Sequence, residues 1–325
     1  MGMALLFMGR KQLKWEDILK NTVFNVTFTA VFLGFFLLIL YTFSDVLVGT
    51  FSSPYALYPK DKSLGINSCQ QWTENVRDFN VKNGEEANRL TVLAYNRIID
   101  EEQLNEAHFT NDDTLKLNIV LTSEFEKQMA YLAKHQYTSL TAEEFYLFMQ
   151  NKITVPKNSV FITFDDGLKT NLETAYPILK KYEFTAINFI DTGHITEKDN
   201  KIIQDTAVHD LQKGCDVFDF QSHTYNFHQR NEEDEAYLVS ETKKAIQADI
   251  AISLVNLDKK NNLFSYPYGE YDDETIEVLK QLNIKMAFTI ESNDVRPGMD
   301  FYKIPRKAIL SDDTIEDFKK KINMW

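Results

Sequence analysis

The hydrophobic pattern divides the chain into one long apolar segment near the N-terminus and a larger region of alternating short motifs. The apolar segment covers residues 21–44 and contains no charged side chain. A helix rises about 1.5 Å per residue, so a helix of this length can cross the ~30 Å hydrocarbon core of a bilayer. The pattern therefore predicts a transmembrane signal-anchor helix over residues 21–44.

The charges beside this segment predict its orientation. Residues 1–20 contain four basic residues against two acidic ones, and the flank after the segment begins with Asp45. The positive-inside rule then makes residues 1–20 a cytoplasmic tail and places everything after residue 44 outside the cell. The competing interpretation is a cleaved signal peptide, which has a shorter apolar core of about 7–15 residues and a small-x-small cleavage site. We expect a single-pass protein of the cell membrane whose larger domain is extracellular.

The rest of the chain separates into a linker and an α/β domain. Residues 45–89 are rich in turn-forming and polar residues without a sustained period, which is typical of an extracellular linker. In residues 90–325, runs predicted as strands occur at 90–95, 159–164, 186–190, 217–221, 263–266, 286–290 and 302–304. Helical periods occur near 123–135, 141–150, 170–182, 206–213, 233–256, 272–282 and 312–323. This alternation indicates βα units, arranged either as a barrel or as a doubly wound open sheet.

Composition narrows the class of protein. The 325 residues are 44% hydrophobic, with only 11 glycines and 2 cysteines, which excludes collagen-like, disulfide-framed and wholly disordered chains. The net charge of -13 argues against a nucleic-acid partner, since phosphate backbones are bound by clusters of Lys and Arg. Cys69 and Cys215 belong to no C-x-x-C pair, and both one disulfide and two free thiols are compatible with the sequence.

Two clusters of chemically capable residues follow predicted strands. Asp165 and Asp166 come directly after strand 159–164, and His223 and His228 come shortly after strand 217–221. Active sites of α/β proteins gather at the carboxyl ends of strands, although Asp-Gly is also a common turn. One aspartate and two histidines supply the three protein ligands of a catalytic zinc-type site and leave the second aspartate spare.

A third motif, Tyr266-Pro267-Tyr268-Gly269, lies at the end of strand 263–266. Alone it indicates a loop, whose fixed backbone N–H groups could face a reacting oxygen. In this order, Phe-Asp-Asp-Gly, His-Thr-x-x-x-His and Tyr-Pro-Tyr-Gly resemble the polysaccharide deacetylases of carbohydrate esterase family 4. Within that family the chain is most similar to the intercellular adhesin branch, which acts on poly-β-1,6-N-acetylglucosamine. The resemblance covers residues 90–323.

The resemblance implies a NodB-like deacetylase domain, a distorted (β/α)7 barrel over residues 90–325, and a divalent metal as cofactor. Asp166, His223 and His228 would be the metal ligands, and zinc is the first expectation, although cobalt, nickel and iron suit the same donors. Asp165 would be the general base that takes a proton from the attacking water. The backbone N–H of Tyr268 would stabilise the oxyanion.

The chain departs from the family pattern in two places. The branch has a histidine, serving as general acid for the leaving amine, where this chain has Asn96. An amide releases no proton at useful pH, so Asn96 could bind substrate but could not be that acid. The wider family has an arginine before Pro-Tyr-Gly that orients the base; here Ser265 and Tyr266 precede it, and Arg306 is the residue we expect in a comparable role.

These observations support three hypotheses. The first is a membrane-anchored, metal-dependent hydrolase that removes N-acetyl groups from extracellular poly-β-1,6-N-acetylglucosamine during biofilm formation. Its partners would be that polysaccharide, the cell membrane and the proteins of exopolysaccharide synthesis and export. The second is deacetylation of peptidoglycan or another acetylated polymer, or an O-esterase activity. The third, motivated by Asn96, is a catalytically impaired polysaccharide-binding homologue.

Overall fold

The computed structural model of the chain describes residues 15–42, 56–197, 206–259 and 262–322. It comprises two compact units, Met1–Ala56 and Leu57–Trp325. Most of the predicted cytoplasmic tail, residues 1–14, and the first part of the predicted linker, residues 45–55, lie outside the described residues.

The first unit contains a long apolar helix, as predicted. Helix α1 runs over Trp15–Thr42, and its segment Thr22–Ile39 has a mean hydropathy of 2.1 with no residue buried. Apolar side chains that find no protein surface are suited to a lipid environment. The helix is compatible with a single-pass membrane anchor, while its orientation stays a prediction.

The second unit alternates strands and helices. The strands are β1 (Thr91–Tyr95), β2 (Arg97–Ile99), β3 (Ile119–Leu121), β4 (Thr138–Ser139), β5 (Ser159–Phe164), β6 (Ala186–Ile190), β7 (Phe218–Ser222), β8 (Leu263–Ser265), β9 (Met286–Phe288) and β10 (Lys307–Ala308). The helices are α2 (Thr122–Lys134), α3 (Ala142–Met149), α4 (Tyr176–Lys181), α5 (Val208–Gly214), α6 (Tyr237–Ser240), α7 (Lys243–Leu257), α8 (Asp273–Gln281) and α9 (Ile315–Ile322).

The main sheet is parallel and curled. Its strands follow the order β10-β1-β5-β6-β7-β8-β9, β4 lies beside the start of β5, and β2 pairs with β3 separately. The two ends of this order approach each other, because Ile304 bridges Phe288 of β9 and the next strand, β10, pairs with β1. This arrangement confirms the distorted (β/α) barrel rather than the doubly wound open sheet.

Both faces of the sheet are buried, which fixes the direction of each side chain. Along β5, Phe161 packs with Phe189 and Phe288 in one apolar cluster, whereas Ile162 and Phe164 belong to a second cluster. Side chains alternate faces along a strand. Asp165 and Asp166, which follow β5, are therefore expected to point their side chains in opposite directions.

Two predicted elements differ from the structure. The strand predicted over 302–304 is wrong: Ile304 makes a single bridge, and the last strand is β10. Pro305 has no backbone N–H to donate, so it interrupts the hydrogen-bond ladder between Ile304 and β10. The helix predicted over 233–256 is divided into α6 and α7, because Thr242 caps α7 with its side chain, which accepts from the Ala245 N–H.

The predicted linker is also too long. The compact unit begins at Leu57, and Tyr58, Leu64 and Ile66 each expose 3% or less of their surface. These three side chains pack into the hydrophobic core of the barrel. The segment forms no long helix or strand, so its buried positions show no regular hydrophobic period in the sequence. The domain therefore extends N-terminally beyond residue 90.

A disulfide fastens this N-terminal segment to the barrel. Cys69 and Cys215 are joined, and the indole N–H of Trp72 donates to the Cys215 carbonyl oxygen over 2.8 Å. The sequence left the state of the two cysteines open, since only the fold brings positions so distant in the chain together.

Candidate active site

The two aspartates lie at the carboxyl end of β5, in a sharp turn. The backbone N–H of Asp165 donates to the Tyr95 carbonyl oxygen over 3.0 Å, and Asp166 and Gly167 have φ angles of 70° and 65°. A Cβ atom on Gly167 would lie 2.7 Å from Cγ2 of Ile190, so only glycine allows this approach. The turn sends the two neighbouring carboxylates to different partners.

Asp165 is paired with a fully buried arginine. The Nη1 and Nη2 atoms of Arg306 each donate to one carboxylate oxygen of Asp165 over 2.8 Å. Arg306 is held by further donations to Ser265 Oγ, Thr163 Oγ1 and the Thr289 carbonyl oxygen. Burial would raise the pKa of Asp165, but the charge of Arg306, with its hydrogen bonds, lowers that pKa below its ordinary value. Asp165 is therefore held as a carboxylate.

The three predicted metal ligands converge. The Nε2 atom of His223 and the Nδ1 atom of His228 each lie 3.6 Å from Oδ1 of Asp166. One ligand atom from each residue can be chosen so that all three lie within 4.8 Å of one another. Three side chains from two different strand ends thus surround one point, as a divalent cation requires.

Buried acceptors orient both imidazoles. Nδ1 of His223 lies 2.8 Å from the Ser265 carbonyl oxygen, and Nδ1 of His228 lies 2.8 Å from Oδ2 of Asp191. Such contacts to histidine are typical of metal sites, where they fix ring orientation. Sequence reasoning missed Asp191. It follows β6 directly, so the signal that identified Asp165, an acid at a strand end, could have found it.

The electrostatics of this cluster suit a cation. Burial alone would lower the pKa of His228, but the hydrogen bond to Asp191 and the nearby Asp166 raise that pKa to about 9. Burial raises the pKa of Asp166 above its ordinary value, and the two histidines oppose that rise only in part. The carboxylates of Asp166 and Asp191, which cause this rise, would also attract a divalent cation. One carboxylate and two imidazoles are donors that fit the divalent metal implied by the resemblance.

Tyr268 lies in a strained turn beside the histidines. Its φ is 59°, and the turn is closed by hydrogen bonds from Gly269 N to Tyr266 O and from Glu270 N to Pro267 O. The Tyr268 ring lies 4.7 Å from the His228 ring. Left-handed backbone at a non-glycine residue is costly and is often kept for function. The assignment of its N–H to an oxyanion stays a prediction.

Asn96 contacts Asp166 of the candidate metal-ligand cluster, Asp166, His223 and His228, directly. Its side-chain N–H₂ donates to Oδ2 of Asp166, and its Oδ1 accepts from the Asn118 amide over 3.0 Å. The Asn171 side chain donates to the Asn96 carbonyl oxygen over 2.7 Å. These contacts fix the amide with its donor toward the carboxylate of Asp166, so Asn96 offers a hydrogen bond there and no acidic proton.

All seven predicted site residues line one cavity of about 350 Å³. They are Asn96, Asp165, Asp166, His223, His228, Tyr268 and Arg306. A larger cavity of about 520 Å³ near residues 76–86 holds none of them. The smaller cavity is therefore the one that brings together the candidate site residues from separate strand ends.

Comparison of the sequence with known proteins identifies related deacetylases. Residues 152–287 match the family described as polysaccharide deacetylase. A poly-beta-1,6-N-acetyl-D-glucosamine N-deacetylase of Staphylococcus aureus is 32% identical over 242 residues, which are 72% of this chain and 83% of the relative. The protein of the same name from Staphylococcus epidermidis is 30% identical over 244 residues, 73% of this chain and 84% of the relative.

Solved structures share the fold. Streptococcus pyogenes deacetylase PplD, in complex with acetate, is 23% identical with a TM-score of 0.62, covering 72% of this chain and 98% of its own. IcaB from Ammonifex degensii is 21% identical with a TM-score of 0.59, covering 72% of this chain and 96% of its own. These structures support the barrel topology described above.

Proposed function

Because this chain belongs to the polysaccharide deacetylase family, we propose that it removes N-acetyl groups from poly-β-1,6-N-acetylglucosamine at the site of Asp165 and Asp166. The polymer is the one named for the staphylococcal relatives, which this chain matches over more than four fifths of their length. The observation that carries the proposal is the convergence of the seven predicted residues on one cavity.

The proposed cofactor is zinc, held by Asp166, His223 and His228. Three protein ligands in one cluster, with both histidines oriented by buried acceptors, support this choice. The bound cation would supply Lewis-acid chemistry, activating water and polarising the acetamide carbonyl group.

The side chains around the cluster divide the remaining work. Asp165, kept ionised by Arg306, accepts the proton of the attacking water. The backbone N–H of Tyr268 donates to the oxygen that becomes negative in the tetrahedral intermediate. Collapse of that intermediate breaks the C–N bond and leaves acetate and a glucosamine amine. The amine takes its proton from Asp165 or from water, because the amide of Asn96 supplies none.

We assign the enzyme to the outer side of the cell membrane, with α1 as its anchor and residues 1–20 in the cytoplasm. The basic residues before α1 support this orientation. The disulfide between Cys69 and Cys215 also supports it, since disulfides persist in oxidising compartments outside the cytoplasm. A tethered enzyme can meet a polymer as synthesis and export proteins release it.

Acetate release from defined oligomers tests the substrate assignment. We expect the zinc-loaded full chain to act on a β-1,6-linked N-acetylglucosamine pentamer at least about tenfold faster than on β-1,4-linked or muramyl-containing fragments. The family membership would stand if the preference were reversed, but the polymer would then be a peptidoglycan-type substrate.

Asn96 favours a second candidate, a homologue that binds the polysaccharide without turning it over. The variant Asn96→His distinguishes the two. An imidazole here can protonate the leaving amine, so we expect kcat to rise by about 10- to 100-fold, with zinc affinity changed little. Asn96→Gln keeps an amide and serves as the matched control, with no gain expected. Bound zinc without acetate release by either the native chain or Asn96→His would favour the binding role.

A further inference from the structure

The segment that follows the membrane tether packs against the loops of the metal-ligand cluster. We call residues 57–66 the N-terminal strap. The backbone N–H of Tyr58 donates to the Gly193 carbonyl oxygen over 2.8 Å, and the Tyr58 carbonyl oxygen accepts from the Tyr225 hydroxyl over 2.7 Å. Tyr58 and Tyr225 expose only 3% and 4% of their surface. Tyr225 lies between His223 and His228, so the strap holds the loop that carries both histidines.

A fully buried asparagine holds the strap from a second side. The Asn256 side chain, in α7, donates to the carbonyl oxygens of Pro59 and Lys62 over 2.9 and 2.8 Å. Its Oδ1 accepts from the hydroxyl of Thr192 over 3.0 Å, and its carbonyl oxygen accepts from the Leu64 N–H. One side chain thereby joins the strap to the turn that follows β6.

The turn after β6, residues 191–193, contacts the loop that carries His223 and His228. The Gly193 N–H donates to the Tyr225 carbonyl oxygen over 2.8 Å, and a Cβ atom at Gly193 would clash with that oxygen. Asp191, in the same turn, accepts from His228. The Asp249 carboxylate accepts from the backbone N–H groups of Tyr225 and Asn226, both over 2.9 Å. The strap therefore packs on the turn 191–193, and that turn packs on the loop that carries His223 and His228.

We infer that the N-terminal strap is a positioning element of the metal site, which holds Tyr225 and the turn 191–193 so that both histidines face Asp166. This inference rests on the proposed zinc site. Without the strap, the buried Tyr225 hydroxyl and the Asn256 amide lose their acceptors, and such unsatisfied groups are unfavourable. The segment that leads from the anchor is therefore coupled to the reaction centre.

Zinc affinity of the full chain in detergent, measured by competition with a chromophoric chelator, tests this coupling. Tyr225→Phe removes one buried hydrogen bond to the strap, and we expect zinc affinity to fall about fivefold. Tyr58→Phe is the matched control, because its hydroxyl donates only to the Ser63 carbonyl oxygen within the strap. We expect that variant to bind zinc within about twofold of the native chain.

Amide hydrogen exchange gives a second readout that needs no substitution. Coupling between two sites is reciprocal, so zinc should slow exchange in residues 57–66 if the strap supports zinc binding. In the part of the chain that the structure describes, helix α9 forms none of the strap's hydrogen bonds. Amide exchange in α9 should therefore be equal with and without zinc.

The outcomes separate this inference from the proposed function. If the native chain binds no zinc, the metal dependence of the proposed function is wrong and the inference falls with it. If it binds zinc, equal affinities for Tyr225→Phe and Tyr58→Phe, or unchanged exchange in residues 57–66, would overturn the inference alone.

Discussion

Replacing Asp165 by asparagine is expected to lower kcat for acetate release by about 1,000-fold. The asparagine has nearly the same shape but cannot accept a proton from water. Asp165 is not one of the three clustered ligand residues, so zinc affinity should change by less than about threefold, which also reports that the variant is folded.

Asp166→Asn is the matched control for this prediction. The same conversion of a carboxylate to an amide, one residue further, removes a ligand, so zinc affinity should fall steeply together with activity. If Asp165→Asn kept activity within about tenfold of the native enzyme, Asp165 would not be the base.

Replacing Arg306 by glutamine is expected to lower the free energy of unfolding by about 3–5 kcal/mol. The guanidinium is fully buried and donates to Asp165 twice, so its loss leaves a buried carboxylate without its charged partner. Denaturant unfolding measures the change. Arg230→Gln is the control, because the Arg230–Glu270 ion pair is partly exposed and should contribute less than about 1 kcal/mol.

The pH dependence of this difference has a defined sign. In the native protein the pKa of Asp165 is lowered, so its stabilising contribution is present above about pH 4 and is lost as pH falls through the lowered pKa. In Arg306→Gln, the charge and the hydrogen bonds of Arg306 no longer oppose burial, and only the weaker effects of His223 and Ser265 remain. The pKa of Asp165 should therefore rise, and the variant should gain stability as pH falls toward 4. The difference in unfolding free energy between native and variant should therefore be larger at pH 7 than at pH 4; a difference that grows toward pH 4 would contradict this account.

Residues at strand ends were predictable from the sequence because a short-range pattern marks them. Asp165 and Asp166 come directly after β5, and His223 comes directly after β7. Parallel strands bring their carboxyl ends to one edge of the sheet. Asp191 carries the same mark after β6 and was missed because no second motif drew attention to it.

Other features depend on contacts that no local pattern records. Arg306, directly before β10, is 141 positions later than Asp165, so no spacing pattern in the chain predicts that pair. Cys69 and Cys215 are 146 positions apart in the sequence, and only the folded chain brings them together. The strap has no hydrophobic period in its sequence. Tyr58, Leu64 and Ile66 are buried individually, not along one face of a helix or strand.

Acetate release from a β-1,6-linked N-acetylglucosamine pentamer tests zinc-dependent deacetylation most directly. The full chain in detergent would be compared after removal of metal by a chelator, after reloading with zinc, and beside Asp166→Ala. We expect release only from the zinc-loaded native chain, with loss on chelation and in Asp166→Ala. Equal release from the metal-free chain, or none from the zinc-loaded chain, would contradict a zinc-dependent deacetylase.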